Sequence, residues 1–392
     1  ELRPGVSQTI VRFNEEGVSL KVLSGDDPST VAALATQAGL EVGPPVSGAD
    51  LDDVDDDVLD RIVARTTVFG RVLPEQKERI VASLRRQGRY VAMIGDGVND
   101  ARALKAAQVG VAMRSGSAVT RGVADVVLIE DSFAALLPAR REGRRIINGI
   151  SVSMYVYLTR VAIQGLVIVA VTMLGLGFPY SPTQVGLTLL TVGVPTLFLT
   201  FWARPEPPDE HLLGNLARFV IPAAVITTAF ATAVYALLYK TVAEGFASGR
   251  TPAQVIAEFQ NSTGLTYTDA DFATASSTIG AQTGLATFVS LTSFLLILFL
   301  APPARIFSSW TRSTTDRRPA LLVVGLLIAL TAVLFVPPLY RYFGLTGPAP
   351  QIFYAVLPAV ALWFMTLSAA YRFRLMDRLL GLGSLPEQKV EH

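Results

Sequence analysis

The segment Tyr90-Val91-Ala92-Met93-Ile94-Gly95-Asp96-Gly97-Val98-Asn99-Asp100 decides the fold of the first part of the chain. Its apolar run ends in a glycine-containing acidic turn, as a buried strand of a parallel sheet does at the sheet edge. Three further apolar runs, at 18–23, 109–113 and 125–129, read as strands. Amphipathic stretches near 28–39, 74–87, 98–107 and 132–148 read as helices. This alternation predicts an α/β fold with a Rossmann-type parallel sheet.

The rest of the chain has the composition of a membrane protein. Its 392 residues are 51% hydrophobic and 17% charged, and the mean hydropathy is +0.45. Of the 65 charged residues (33 Lys and Arg plus 32 Asp and Glu), 40 lie within residues 1–145. We therefore predict a soluble domain at 1–145 and an all-α, polytopic membrane domain at 146–392.

The residue inventory excludes several kinds of partner and site. The net charge is +1 and the soluble part has no extended Lys/Arg tract, so no nucleic-acid partner is expected. The chain has no cysteine and two histidines, which excludes disulfides and thiolate or histidine-cage metal sites. Any metal ion must then be bound by oxygen atoms.

Six stretches are long and apolar enough to cross a bilayer as helices. They lie near 150–174, 183–203, 217–239, 284–301, 319–337 and 352–371. Arginines cluster before the first, between the fourth and fifth, and after the sixth of these helices: Arg140, Arg141, Arg144, Arg145, Arg305, Arg312, Arg317, Arg318, Arg372, Arg374 and Arg378. The positive-inside rule then predicts a multi-pass protein of the cell membrane, with residues 1–145 and the C-terminus cytoplasmic.

The turn after the strand at 90–94 is a candidate magnesium site. Asp96 and Asp100 stand four residues apart across a helix start, a spacing that can direct both carboxylates to one point, and Asn99 adds a neutral amide. Hard oxygen ligands of this kind suit Mg²⁺, which keeps waters and adds phosphate oxygens to one or two carboxylates. The alternative is an ordinary turn in which an aspartate caps a helix.

Two further features fit phosphate chemistry. Ser24-Gly25-Asp26 follows the strand at 18–23 and offers a hydroxyl and backbone N–H groups at a helix start. Taken alone, Asp27-Pro28 also reads as a plain N-cap followed by proline at the first helical position. Lys77 opens the helix near 74–87 and can supply a fixed cation to a transferring phosphoryl group, although a lone lysine there is more often a solvated surface charge.

The order of these features resembles the C-terminal half of a P-type cation-transporting ATPase, whose phosphorylation domain is of the haloacid-dehalogenase type. The resemblance runs from about residue 18 to about residue 203. It is strongest over 93–113, Met-Ile-Gly-Asp-Gly-Val-Asn-Asp-Ala-Arg-Ala-Leu-Lys-Ala-Ala-Gln-Val-Gly-Val-Ala-Met, followed by Ser-Gly-Ser-Ala-Val at 115–119 and Val-Val-Leu-Ile-Glu-Asp at 126–131. It implies ATP-driven cation transport through an aspartyl phosphate, with ATP as substrate and Mg²⁺ as cofactor.

The resemblance also implies roles for individual residues. It makes Asp96 and Asp100 the carboxylates on the Mg²⁺ side, puts Asn99 in the same site and lets Lys77 steady the phosphoryl group. Ser24 stands where the family usually has threonine.

The resemblance also assigns Gly25 and Asp26 of this chain to the loop that contains the Ser24 hydroxyl. Arg102 replaces a common proline, and we expect this to alter only the helix start.

The family's nucleophile is the aspartate of Asp-Lys-Thr-Gly-Thr, and that string does not occur in these 392 residues. The resemblance places the nucleotide domain, the actuator domain with its Thr-Gly-Glu-Ser loop and four membrane helices in an N-terminal half that this sequence lacks. We therefore expect the isolated chain to be inactive and to need that half as a partner.

Candidates for the ion pathway lie in the first two predicted spans. No Asp or Glu lies in any of the six, and Arg160 lies inside the first, on one helical face with Gln164. For Arg160, snorkelling toward the cytoplasmic interface is the favoured interpretation. In the second span are Thr188, Thr191 and Pro195. Pro195 has no N–H, which frees the Thr191 carbonyl to ligate a cation.

The resemblance makes calcium one candidate cargo without supplying its familiar ligands. In calcium pumps of this family the two helices carry Asn, Glu and Asp ligands, and this sequence has Ala162, Gly165, Thr188 and Val192 at the aligned positions. A two-calcium site is therefore not expected. One cation held by carbonyls and hydroxyls remains compatible with the sequence.

Two other functions stay open at the level of the sequence. One is a membrane channel or secondary transporter with a regulatory cytoplasmic domain, which tolerates a missing nucleophile but gives no reason for Lys77 and the Asp96/Asp100 turn to occur in order. The other is a membrane-tethered phosphatase on the same α/β fold, which still needs a nucleophilic aspartate on an upstream strand.

Overall fold

The structure is a computed structural model that describes residues 5–207, 209, 211–249, 251–309, 311 and 313–374. Arg312, Arg378 and the C-terminus, which enter the predicted membrane orientation, lie outside these residues. The chain divides into a first unit, Glu1–Glu142, and a second unit, Gly143–His392. The division falls close to the predicted boundary at 145.

The first unit alternates short parallel strands with helices. Its strands are β1 (Val22–Leu23), β2 (Val46–Ser47), β3 (Val68–Gly70), β4 (Ala92–Gly95), β5 (Val109–Met113) and β6 (Val126–Leu128). Its helices are α1 (Val6–Glu15), α2 (Pro28–Gln37), α3 (Asp56–Arg65), α4 (Pro74–Arg86), α5 (Ala101–Ala106) and α6 (Ala118–Val123), followed by the start of α7 (Leu136–Met173). The predicted α/β class and parallel pairing are confirmed.

The strands form two separate sheets of three. One has the order β1-β3-β2 and the other the order β4-β5-β6, and all pairings are parallel. The strands that carry the two predicted motifs, β1 and β4, are therefore each the edge strand of their sheet within the described residues.

Helix α4 packs against the cores of both sheets. Ile80 belongs to the buried cluster around Phe69 of β3, and the next residue, Val81, belongs to the cluster around Met93 of β4. Leu23 of β1 packs against both clusters. One amphipathic helix thus links the two sheets and carries Lys77 in its first turn.

The aspartate-rich stretch at 50–60 is used for capping and pairing. Asp55 is the N-cap of α3 and accepts a hydrogen bond from the Val58 amide. Asp50 accepts from the Ser47 amide, and Asp52 accepts from the Gln76 side chain. Such N-caps satisfy amides that the first helical turn leaves without partners.

The second unit is helical. It contains the greater part of α7, then α8 (Val194–Phe201), α9 (Leu212–Ala247), α10 (Ala253–Thr263), α11 (Phe272–Leu300), α12 (Arg318–Phe335), α13 (Pro337–Tyr342) and α14 (Pro350–Arg372). Six helical segments of the described chain are long and apolar enough to cross a membrane: Phe133–Met173, Thr183–Phe201, Leu212–Ala247, Phe272–Leu300, Arg318–Phe335 and Pro350–Arg372. The prediction of a six-helix, multi-pass membrane domain is confirmed.

Several bounds differ from the predicted ones. Helix α9 runs on to Ala247 and α11 begins at Phe272, so both helices extend beyond the spans predicted near 217–239 and 284–301. Polar residues continue these helices because hydrogen bonding, not hydropathy, decides where a helix ends. Arg218 also lies inside the third span, which the sequence-based inventory of charged span residues left out.

Helix α11 is the centre of the second unit. It is far more buried than the other five spans, at 83% of its most apolar window. Gly284 permits the close approach of α9, because a Cβ there would meet the Leu238 side chain. Trp363 of α14 donates from Nε1 to Thr227 Oγ1 of α9 at 2.8 Å.

The second span is not a regular α-helix. It begins as a 3₁₀-helix at Thr183–Leu187, passes through a π-helical turn at Leu189–Gly193 and becomes α-helical at Val194. Pro195 lies in the first turn of α8, directly after the π-helical turn.

Candidate functional site

A buried ion pair lies at the end of β4. Lys77 Nζ donates to Asp100 Oδ1 at 2.8 Å, and the two side chains are 10% and 11% exposed. Because charged side chains are rarely buried without a partner, this contact fixes both. The interpretation of Lys77 as a solvated surface charge is therefore wrong.

The glycines of the turn give Asp100 its position. The second carboxylate oxygen of Asp100, Oδ2, accepts from the Gly97 amide at 3.1 Å. A Cβ at Gly95 would lie 2.5 Å from the Asp100 Cβ, closer than carbon atoms pack. The spacing Gly-Asp-Gly-Val-Asn-Asp thus folds Asp100 back over its own strand.

Asp96 and Asn99 lie on the same turn but face solvent. Both residues are exposed, and neither side chain makes a hydrogen bond within the part of the chain that the structure describes. Asp96 therefore has a free carboxylate next to the buried pair, while both oxygens of Asp100 are already hydrogen-bonded.

A second loop braces the turn. The Ser117 amide donates to the Asp96 carbonyl at 2.8 Å, and Thr120 Oγ1 donates to the Gly97 carbonyl at 2.7 Å. A Cβ at Gly116 would lie 2.8 Å from that Asp96 carbonyl oxygen. The sequence alone assigns no role to these three residues, although Gly116 and Ser117 lie in the segment 115–119 that carries part of the resemblance.

In the turn after β1, the Ser24 hydroxyl forms its hydrogen bonds with Asp26 of the same turn. Ser24 Oγ donates to Asp26 Oδ2 at 3.1 Å, and the Asp26 amide donates back to Ser24 Oγ at 3.2 Å. Gly25 lies exposed between them. Among the described residues, no hydrogen bond joins this turn to Lys77, Asp96 or Asp100.

The residues that follow confirm the capping interpretation of Asp27-Pro28. Asp27 accepts from the Ser29 amide at 3.1 Å with proline at the first helical position of α2. The hydrogen bonds from Ser29, with the nearby Arg71 guanidinium at 3.0 Å, lower the pKa of Asp27 below its usual value.

The donor set fits a magnesium ion that is held in part by other ligands. Within the described residues no group of three or more His, Cys, Asp or Glu is placed to hold a metal ion. The free carboxylate of Asp96 and the tethered carboxylate of Asp100 offer the one or two carboxylates that Mg²⁺ takes when waters and phosphate oxygens complete its shell.

The membrane candidates fall into two groups. Thr191 lines a cavity of about 10 Å³ between the spans, together with Thr159, Arg160 and Ser293. Gln164 and Thr188 are half-buried and make no side-chain hydrogen bond within the described ranges, and Pro195 is buried.

Arg160 is partly buried among the packed helices. Its Nε and Nη1 atoms are buried and have no hydrogen-bond partner within the described part of the chain. A snorkelling side chain would place the guanidinium at the membrane surface. In this structure the Arg160 side chain lines the cavity with Thr159, Thr191 and Ser293.

Comparisons with known proteins agree with the fold. Residues 1–108 match the family of haloacid dehalogenase-like hydrolases. The chain is 34% identical over 251 residues to a probable cation-transporting ATPase F of Mycobacterium bovis, covering 60% of this chain and 28% of that protein. It is 36% identical over 236 residues to the calcium-transporting ATPase CtpE of the same organism, covering 57% of this chain and 29% of that protein.

A human protein is similar over a shorter range. The chain is 42% identical over 151 residues to calcium-transporting ATPase type 2C member 1, covering 38% of this chain and 16% of that protein. The chain thus spans less than a third of the length of each of these relatives. The haloacid dehalogenase-like match, the six apolar helices and these similarities together support the resemblance of the chain to a fragment of a P-type cation-transporting ATPase.

Proposed function

We propose that this chain carries the lysine and magnesium side of the phosphoryl-transfer site of an ATP-driven cation pump. The observation that carries the proposal is the buried contact between Lys77 and Asp100 at the end of β4, beside the free carboxylate of Asp96. A structural ion pair alone would not require an exposed, unpaired carboxylate on the same glycine turn.

The chemistry of phosphoryl transfer explains this arrangement. The transferring group carries negative charge on its oxygens, and catalysis consists largely of positioning and charge stabilisation. Lys77 supplies a fixed ammonium group, and Asp100 holds that group by one oxygen while the Gly97 amide holds the other. The lysine is therefore pre-positioned before any phosphate arrives.

Asp96 is the direct metal ligand in this proposal, with Asp100 behind it and Asn99 beside it. A bound Mg²⁺ would supply positive charge to the phosphate oxygens. The loop at 116–120 holds the backbone of Asp96 and Gly97 through the Ser117 and Thr120 hydrogen bonds. The Asp96 side chain is therefore attached to a fixed point of the backbone.

Two sheet edges support a proposed position for the nucleophile. β1 and β4 are edge strands, their motifs follow their carboxyl ends, and Leu23 of β1 packs with the cluster around Met93 of β4. A parallel strand that pairs with both edges would bring its own carboxyl end between Ser24 and Asp96. We propose that the phosphorylated aspartate lies on such a strand, and that the chain without it is inactive.

The second unit is the membrane part of the proposed pump. The arginine distribution supports a cytoplasmic position for the soluble unit and the C-terminus. The proposed partners are the transported cation, the bilayer and the N-terminal half with the nucleotide and actuator domains; ATP is the substrate.

The proposal also covers the transported ion. Two of the relatives are named as calcium-transporting ATPases. The six spans of this chain, as predicted, contain no acidic residue, so we propose a single cation held mainly by hydroxyl and carbonyl oxygens, with Thr188, Thr191 and Gln164 as candidates. Calcium is one candidate ion.

Phosphoenzyme formation tests the proposal. Membranes with the full-length gene product are given radiolabelled ATP at fixed Mg²⁺, with Ca²⁺, Mn²⁺ and K⁺ varied one at a time. Acid-stable label is expected, and the ion that changes its level identifies the cargo. An absence of label under every condition would refute the pump and favour a channel or transporter with a regulatory domain.

A further inference from the structure

The cavity beside Arg160 combines a buried cation with free hydrogen-bond donors. It measures about 10 Å³ and is lined by residues of α7, α9, α11 and the π-helical turn, among them Thr159, Arg160, Thr191 and Ser293. That volume is roughly one water-sized occupant.

The polar groups at this cavity need an acceptor. Arg160 Nε, Arg160 Nη1 and Thr159 Oγ1 are buried without a partner in the described residues. A guanidinium group donates only, and a hydroxyl has one hydrogen to donate. Thr191 and Ser293 already donate to the carbonyls of Leu187 and Val289, so their hydrogens are used.

The charge of Arg160 also needs compensation. None of the cavity-lining residues is Asp or Glu, and an uncompensated charge is costly inside a membrane protein. A water molecule satisfies donors but brings no charge. An anion in the cavity would also offset the repulsion between the guanidinium and a cation held at Thr191.

We propose that this cavity binds one small monovalent anion of the halide class. The anion accepts from the Arg160 guanidinium and the Thr159 hydroxyl and balances the arginine charge within the second unit. This site is separate from the phosphoryl-transfer residues and does not depend on the pump proposal.

Direct binding of chloride tests the site. The 392-residue chain is purified in detergent in gluconate buffer, because gluconate is too large for the cavity, and is titrated with radioactive chloride at constant ionic strength. Wild type is expected to bind about one chloride per chain, displaced by bromide. Arg160→Met should weaken binding about 10- to 100-fold, as expected for loss of a hydrogen bond to a charged group.

A second variant keeps the arginine. Thr159→Val removes one neutral donor and should weaken binding about 3- to 10-fold. If Arg160→Met does not fold, the chloride affinity of Thr159→Val tests the proposal. Arg318→Met, at an exposed arginine where α12 begins, is the matched control and should bind as wild type does. Absence of saturable binding in wild type, or unchanged affinity in the folded cavity variants, would overturn the proposal in favour of water.

Discussion

The residue that departs most from its ordinary behaviour is Lys77. A lysine in the first turn of a surface helix is usually solvated, yet here its ammonium group is buried against Asp100. Removing one partner of a buried pair leaves the other charge uncompensated, which costs more than the pair itself contributes. The stability of the first unit therefore depends on a residue that the proposed chemistry also needs.

Lys77→Met is expected to destabilise the first unit by about 3 kcal/mol, because Asp100 is left buried without its cation. Chemical denaturation of the purified chain, followed by a probe in the first unit, measures the change. The exposed Lys105→Met is the control and should stay within about 0.5 kcal/mol of wild type. Equal stability of the two variants would contradict the buried pair.

Gly95→Ala is expected to disrupt the turn, because the added methyl group would meet the Asp100 Cβ at 2.5 Å. The predicted result is lower stability and loss of phosphoenzyme in the full-length protein. Gly122→Ala in α6 has open space around the new atom and should be neutral or slightly stabilising. A Gly95→Ala protein with normal stability and labelling would mean that Asp100 is not held by the close turn.

At the scale of elements, α3 and α4 are joined by charge as well as by apolar contact. Arg86 Nη2 donates to Asp60 Oδ1 at 2.7 Å, and Arg86 also lies 3.4 Å from Asp56. The hydrogen bond from Arg86, with a further one from Ser83, lowers the pKa of Asp60 below its usual value.

This pair predicts a pH dependence. Since the folded-state pKa of Asp60 is below the unfolded value of about 3.9, its contribution is present above that pH and is lost as the pH falls through the folded value. Asp60→Asn should therefore reduce the acid sensitivity of the melting temperature of the first unit below about pH 4. Asp53→Asn, at an exposed aspartate in the same stretch, should not. If the melting temperatures of the two variants fall equally with pH, the role of Asp60 in the acid sensitivity is contradicted.

The open edge of β1 can be measured by hydrogen exchange. The Val22 and Ser24 amides donate to the carbonyls of Thr67, just before β3, and Phe69 of β3, so strand alternation directs the Leu23 amide to the other edge. In the isolated chain we expect faster exchange at Leu23 than at its two neighbours, and slower exchange at Leu23 in the full-length protein, where the proposed strand would cover it. Equal protection of Leu23 in both would contradict an entering strand.

Secondary structure could be predicted from the sequence where it depends on neighbouring residues alone. Residues 109–113 and the helix starts at Pro28 and Pro74 were predicted as they occur, because apolar runs and first-turn prolines need no tertiary information. The helices α1, α3 and α6 and the strands β2 and β3 were missed. The two strands have two and three residues, too few to show a period, and they form only because parallel neighbours pair with them.

The candidate site was predicted in the same uneven way. Asp96, Asp100 and Lys77 were selected from the sequence, but the contact between Lys77 and Asp100 joins residues 23 apart and follows from how α4 packs. Burial of Arg160 was not predictable either. The burial of its Nε and Nη1 atoms follows from the helices packed around the side chain.

At the scale of the whole molecule, the two units divide the proposed work. The first unit concentrates the charged residues and the phosphate chemistry, and the second unit supplies six apolar spans with one well-buried central helix. The central claim is that Asp96 provides the metal-binding carboxylate for phosphoryl transfer to an aspartate on an entering strand. That claim makes Asp96 essential for chemistry and dispensable for folding, because its side chain is exposed and makes no hydrogen bond in the described structure.

The most direct test compares Asp96→Asn with Asp53→Asn in the full-length protein, by acid-stable label from radioactive ATP at saturating Mg²⁺. We predict that Asp96→Asn inserts into membranes and melts as wild type does, while its label falls below about one hundredth of the wild-type level, and that Asp53→Asn labels normally. Normal labelling of a folded Asp96→Asn protein would contradict the claim.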